Sequence, residues 1–300
     1  MGFYNGFLKD AARLLAYFAA TVLFGALVAP VLYWTVQALN ARGLLTVLAA
    51  FDFETYFHRA LLLGAVLFFW PLLRWLGLRS WRDLGLTPNA HRGRDASAGL
   101  FISAIPLLCF GAVLLVLGVY TWRPSLAVLP LLSRLVSALV VPFLEEPIFR
   151  GLILGVLLRS SPAWVATLTT SAIFSSLHFL KAPAHTSVVV TWNSGFISIG
   201  NSLAQFNQPL LLLAGFSTLF LLGWILADAR IRTRSLWLPI GLHGGWIFAN
   251  ALFNKIAHRE LVALPWLGKN LLIGLAPLGV ALVSWAILRT WWNHVEAKKA

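Results

Sequence analysis

Eight apolar runs, each about as long as a bilayer is thick, decide what this chain can become. A hydrocarbon core about 30 Å thick takes ~20 apolar residues as a helix. Runs at 14–39, 60–78, 98–120, 128–158, 163–180, 210–227, 236–253 and 271–290 meet that demand. The expected fold is therefore all-α: a polytopic transmembrane helix bundle of about eight spans. Composition agrees, with 59% hydrophobic and 11% charged residues and a mean hydropathy of +0.82. A soluble domain carries about a quarter charged residues, so this chain lacks the charge to cover a water-facing surface. Its apolar content excludes disorder, and its single cysteine, Cys109, excludes a disulfide scaffold. The first run is too long for a cleaved signal peptide, and no small-residue cleavage site follows it.

The formal charge of +13 comes from 17 Arg and 6 Lys against 10 acids. In a soluble protein that excess would suggest nucleic acid. Here the basic residues lie mainly between apolar runs, where they anchor and orient spans, so no nucleic-acid partner is expected. With an even number of spans both termini share a side. That side collects 14 basic residues, including Lys9, Arg13, Arg74, Arg79, Arg82, Arg92, Arg94, Arg159, Arg230, Arg232, Arg234 and Arg289, against 7 opposite. The positive-inside rule makes both termini cytoplasmic. Trp122, Trp164, Trp237 and Trp291 stand near span ends, as interfacial belts do.

The chain reads as a single integral membrane domain over 1–300. Within it, 1–122 holds the first three spans and a basic cytoplasmic loop, 126–253 the next four spans, and 254–300 the last span and tail. Residues 182–227 contain no Asp, Glu, Lys or Arg, and 181–209 is rich in Ser, Asn, Gly and Thr. Such a stretch fits a lid or re-entrant segment as well as an ordinary surface loop.

The fourth run carries charges where a membrane forbids them: Glu145, Glu146 and Arg150 in LVVPFLEEPIFRGLILGVLL. A central charged side chain costs about 2.5–3.5 kcal/mol on insertion scales, so the three should face the bundle interior. Glu146 and Arg150 have the i, i+4 spacing of a helical ion pair. Such a pair could simply lock two helices together, but that leaves the second glutamate unexplained. Pro142 and Pro147 remove backbone donors and invite a kink. The fifth run adds Phe174 and His178 in FSSLHFL, and the seventh adds His243 in IGLHGGWIFAN. Gly244 and Gly245 beside it let a helix or a peptide come close to the backbone. Either histidine alone could be a hydrogen-bonded core residue. Together, five ionisable groups on three spans point to function. At a rise of 1.5 Å per residue, Glu145 lies ~21 Å and His178 ~24 Å from the cytoplasmic ends of their spans. His243 lies ~10 Å in if its helix starts at Leu236, or ~20 Å if it starts near Arg230.

Two carboxylates, two imidazoles and a guanidinium suit peptide-bond hydrolysis. Burial disfavours a charged carboxylate and a neighbouring guanidinium favours it, a balance that lets one carboxylate take a proton from water. A histidine can then donate to the oxyanion. Neither a nucleophile elbow, nor a phosphate loop, nor HExxH is present. Cys109, mid-span among Leu and Phe, reads as inert packing.

EEPIFRG reads as EExxxR, SLHF completes an FxxxH element through Phe174 and His178, and a late span carries GLH. In these motifs, spread over 139–253, the chain resembles the CPBP family of intramembrane glutamic endopeptidases. That family is related to type II CAAX prenyl proteases and is also called Abi. The resemblance implies an all-helical fold with its active site within the bilayer. It implies Glu145 as the general base that activates water, with Glu146 and Arg150 as its motif partners. It also implies His178 as the histidine near the water and His243 as the oxyanion-stabilising histidine. One departure is plain: the family commonly has HxxxN in the late span, and here Ile247 stands at the Asn position. Asn250 is a weaker candidate for the second oxyanion donor, and Asn193 or Asn201 in the uncharged stretch another.

The expected activity is metal-free hydrolysis of a membrane-associated peptide or protein within a lipid bilayer, with no cofactor. A zinc site of Glu146, His178 and His243, with Glu145 as base, is the alternative cofactor reading. A non-catalytic scaffold, transporter or immunity-type protein that keeps the fold is a further alternative. Arg-rich usage fits a bacterial inner membrane. Glu54 and His58 read as a pair capping an interfacial helix, and His185 as a surface residue or part of a substrate entrance. Asp228 reads as an interfacial partner of Arg230 and Arg232, and WRDLGL at 81–86 as a cytoplasmic interfacial element.

Overall fold

A computed structural model describes residues 2–86, 90–124, 128–179, 189–261, 263–268 and 270–297. Across them the chain is predominantly helical. It opens with α1 (Gly2–Asn40), α2 (Thr46–Ala49), α3 (Phe53–Trp75), a 3-10 turn (Trp81–Leu84) and α4 (Arg92–Val116). Strand β1 (Tyr120–Trp122) precedes α5 (Val128–Glu146), a π-helical segment (Pro147–Ile153), α6 (Leu154–Ser160) and α7 (Ala163–Phe179). Then come α8 (Ser194–Leu203), a second 3-10 turn (Ala204–Asn207), α9 (Pro209–Thr233), α10 (Trp237–Ile256), β2 (Ala257–Arg259) and α11 (Leu275–Ala297).

All eight predicted spans fall on helices. Among the described residues, five helices are long and apolar enough to cross a bilayer unaided: α1 from Lys9, α3, α4, α9 and α11. The predicted span 128–158 changes pitch at Pro147, α7 has only 17 residues, and the 20 residues of α10 include His243, Asn250, Asn254 and Lys255. Span ends also moved. Tyr120, taken as the end of the third span, lies in β1, and α11 begins at Leu275 rather than at 271. The all-α expectation thus holds but for a two-stranded ribbon. The chain is an integral membrane helix bundle.

Contacts group the chain into two compact units, 1–79 with 176–208, and 80–175 with 209–300. In the first, α1 and α3 pack side by side around Ala26, Ala29, Phe53, Phe57 and Ala60. Asp52 caps α3, accepting the Thr55 N–H at 3.0 Å. That corrects the expectation for Glu54 and His58: a cap must stand before the first turn, and Glu54 sits inside it, buried. The uncharged stretch is partly helical. Helix α8 lies on α1 through a face of Ser194, Gly195, Ser198 and Ser202, with Phe196 and Ile197 exposed opposite. His185 lies outside the described residues.

In the second unit α10 packs against α4, α5 and α9. A Cβ on Gly241 would stand 2.0 Å from the Ala96 carbonyl oxygen, and one on Gly245 2.4 Å from that of Leu100. The two glycines, one turn apart, thus let α4 lie directly on the α10 backbone. On another side, a Cβ on Gly244 would stand 3.0 Å from the Ala138 carbonyl oxygen of α5. The close approach predicted at Gly244 and Gly245 is therefore made by two helices. Leu107, Leu114, Leu226, Leu242, Trp246, Phe253 and Leu288 fill the core between α4, α9, α10 and α11. At one end β1 and β2 pair antiparallel, Tyr120 opposite Arg259 and Trp122 opposite Ala257, tying α4 to α10 a second time.

Candidate active site

Proline decides the local geometry of the charged segment. Pro147 has no N–H to continue the α-helical ladder, and the chain widens into a π turn. At its end the Leu154 N–H bonds the Phe149 carbonyl, five residues back. Such turns appear mostly as single insertions in α-helices, frequently at functional sites. This one separates Glu146, the last residue of α5, from Arg150, and buries Phe149, Arg150, Gly151, Leu152 and Ile153.

The predicted ion pair forms and is fully buried. Arg150 Nη1 donates to Glu146 Oε1 at 3.0 Å, with both side chains at 0% exposure. The same oxygen faces His243 Nδ1 at 2.7 Å. His243 Nε2 stands 3.9 Å from Glu145 Oε2, and the Glu145 side chain is 30% exposed. One imidazole thus lies between the two carboxylates, touching the fully buried one and facing the partly exposed one through its buried Oε2. Arg150 Nη2 also donates to the Gly223 carbonyl of α9 at 3.3 Å. Its guanidinium lies over the Phe174 ring at 4.3 Å.

A short strap holds these elements at one level. Leu84, fully buried, ends the first 3-10 turn, and its carbonyl oxygen lies 2.7 Å from where a Cβ on Gly151 would be. Gly85 follows at φ +88°, a left-handed conformation that favours glycine. Its carbonyl accepts the Leu236 N–H at 3.1 Å, just ahead of α10. Helix α10 therefore starts beside Gly151. The shorter count for His243, ~10 Å along its helix, is the correct one. It still brings His243 to Glu146, with Nδ1 2.7 Å from Oε1.

Glu145, Glu146, Arg150 and His243 thus come together in the second unit, with Phe174. The boundary between units falls after Ser175, so His178, exposed in the last turn of α7, belongs to the first. Asn250 is half-buried, and its Oδ1 accepts from Asn254 Nδ2 at 3.1 Å. Asn193 is exposed and belongs to the first unit, as does Asn201. Asp228 pairs with Arg232 at 2.9 Å as expected, whereas Arg230 lies instead against Gly85. Among the described residues no group of three His, Cys, Asp or Glu side chains could hold a metal ion. Sequence reasoning missed the Gly223 carbonyl and the strap. The first carries no side-chain signal, while the second was visible only as the turn-like WRDLGL.

No curated protein matches the chain, and no solved structure does. A family model does match, that of type II CAAX prenyl endopeptidases, Rce1-like, and it covers residues 127–249. These residues span α5 through most of α10, the stretch that supplies both glutamates, Arg150, Phe174, Gly223 and His243. Residues 127–249 are therefore similar to the Rce1-like domain of type II CAAX prenyl endopeptidases.

Proposed function

We propose that this protein is an intramembrane endopeptidase of the glutamic type. In this reading Glu145 activates water, and His243, oriented by Glu146 and Arg150, shares in holding it. The observation that carries the reading is the bridging imidazole, 2.7 Å from Glu146 and 3.9 Å from Glu145. Glu146 Oε1 already accepts from Arg150, and in this reading it accepts from His243 Nδ1–H as well. The neutral ring then presents an Nε2 lone pair towards Glu145. A water about 2.8 Å from both Nε2 and Oε2 fits the 3.9 Å gap as the apex of a triangle. It donates one proton to each, which turns an oxygen lone pair outward.

The chemistry follows. Glu145 takes a proton as the water oxygen bonds to the substrate carbonyl carbon. The tetrahedral intermediate collapses as Glu145 returns that proton to the leaving nitrogen and the C–N bond breaks. The family match supports peptide hydrolysis, and the resemblance supports a further part for His178 beside the water; its oxyanion part for His243 is the alternative to holding the water, since it needs an Nε2–H in place of the lone pair. Asn250 and Asn193 are the candidates for a second oxyanion donor. The substrate is a membrane-associated peptide or protein, cleaved in a bacterial inner membrane by a chain with both termini cytoplasmic.

Purified protein in lipid should cleave a membrane-anchored peptide, and Glu145→Ala should abolish this while inserting and unfolding normally. Retained cleavage by that variant overturns the mechanism. Metal analysis belongs in the same experiment: one zinc per chain, with activity lost to chelators, would replace it with the zinc reading. His178→Ala and Asn250→Ala, assayed for kcat, test the remaining assignments.

A further inference from the structure

Arg150 is a fully buried cation whose carboxylate partner is shared. Glu146 Oε1 takes both the Arg150 Nη1 hydrogen bond and His243 Nδ1. A second hydrogen bond, from Nη2, goes to the neutral Gly223 carbonyl, and Nε is buried with no hydrogen-bond partner among the described residues. What remains is a face. The guanidinium carbon lies 4.3 Å from the centroid of Phe174, whose π surface carries negative potential. The same ring meets His243 edge-on, with centroids 5.9 Å apart and planes at 79°. Phe149 packs on it at 5.1 Å and 85°, fixing its tilt. On α9, Gly223 has no Cβ where one would lie 3.3 Å from the Phe174 ring, so its backbone comes close enough to accept from Arg150.

We propose that Phe174 is a positioning residue for the reaction, holding the Arg150 guanidinium by its π face so that Glu146 can also orient His243. The proposal rests on the peptidase reading for its catalytic consequence, and on this geometry for the interaction itself. Phe174 touches no reacting atom in this scheme. It fixes the plane of the guanidinium, the guanidinium fixes the Glu146 carboxylate, and the carboxylate fixes the imidazole that faces Glu145. A desolvated cation over a ring is held several times more firmly than an exposed one, and Arg150 has 0% exposure.

The test keeps the shape of the ring and changes its electrostatics. Mono-, di- and trifluorophenylalanine at position 174 drain the π face stepwise with little change in volume. Expected is a stepwise fall in kcat, on the order of tenfold by the last member, with KM unchanged. Thermal midpoints should fall in the same order, and that trend should vanish in an Arg150→Met background. Phe174→Tyr, which keeps a π face, should retain most of the kcat that Phe174→Leu loses. A flat kcat across the fluorinated series, in a protein whose cleavage still requires Glu145, overturns the proposal and leaves the peptidase reading standing. An equal loss of midpoint with and without Arg150 overturns it too, by showing that the ring only fills space. Should cleavage survive Glu145→Ala, the Glu145 mechanism falls, and the midpoints alone decide whether the ring holds Arg150.

Discussion

At Glu146 a single oxygen serves two donors. Its Oε1 receives Arg150 at 3.0 Å and His243 at 2.7 Å, while Oε2 is buried with no hydrogen-bond partner among the described residues. The i, i+4 spacing made the first contact legible in the sequence. The second was not, because His243 lies 97 residues away and no local pattern fixes which face of α10 meets α5. The stakes of the pair are asymmetric. Removing one member of a buried ion pair strands the other and costs about 3–5 kcal/mol. Glu146→Ala should therefore lower the stability of the purified protein by roughly that amount in denaturant or thermal unfolding. Glu145→Ala should leave it nearly unchanged, since that side chain is 30% exposed and the Arg150–Glu146 pair survives its loss. Equal losses from the two variants would contradict the separate parts given to the two glutamates.

Helices reach this arrangement through two devices of different legibility. Pro142 and Pro147 both signalled a disturbance in the fourth span, but propensity does not say whether proline bends, ends or widens a helix. Here α5 continues through Pro142 and changes pitch at Pro147. The glycines of α10 signalled close approach without naming the neighbour, which proves to be α4 along Gly241 and Gly245 and α5 at Gly244. Because the obstacle is backbone, it cannot rotate aside. Gly241→Val should cost about 1–3 kcal/mol by overpacking, and it should cut kcat as α10 withdraws His243. Gly85→Ala acts from the other end. It places a Cβ 2.6 Å from the Arg230 guanidinium at φ +88°, where a left-handed non-glycine residue costs roughly 1–2 kcal/mol. Its effect on kcat should exceed its effect on KM, since the strap sets where α10 begins and touches no substrate. The strap itself was unreadable as such: WRDLGL has the look of any interfacial turn, and only the fold sets Leu84 on Gly151.

Across the whole molecule, scarce charge is sorted by place, and the second unit shows the sorting at both its ends. At one end Arg94, from the start of α4, stacks over Trp291 near the end of α11 at 5.7 Å. There too Asp228, near the end of α9, joins Arg232 and Arg289 and accepts from Trp285 at 3.0 Å. At the other end Arg123, Lys255 and Arg259 flank the β1–β2 ribbon. Alternation of basic loops was therefore legible in the sequence, since it depends on span order and not on side-chain contacts. The count of 14 basic residues against 7 makes the Arg94 end the expected cytoplasmic one. Cys109, exposed on α4, is the chain's single cysteine and is removed first as Cys109→Ser. In that background Trp122→Cys, on the exposed ribbon, should react with a membrane-impermeant maleimide in intact cells. Ser80→Cys, beside the strap, should react only after the membrane is opened. The reverse pattern would invert the topology and turn the strap outward. Because α10 starts at the strap end, with His243 only ~10 Å beyond its start, the same labelling fixes which surface the candidate site stands nearer to.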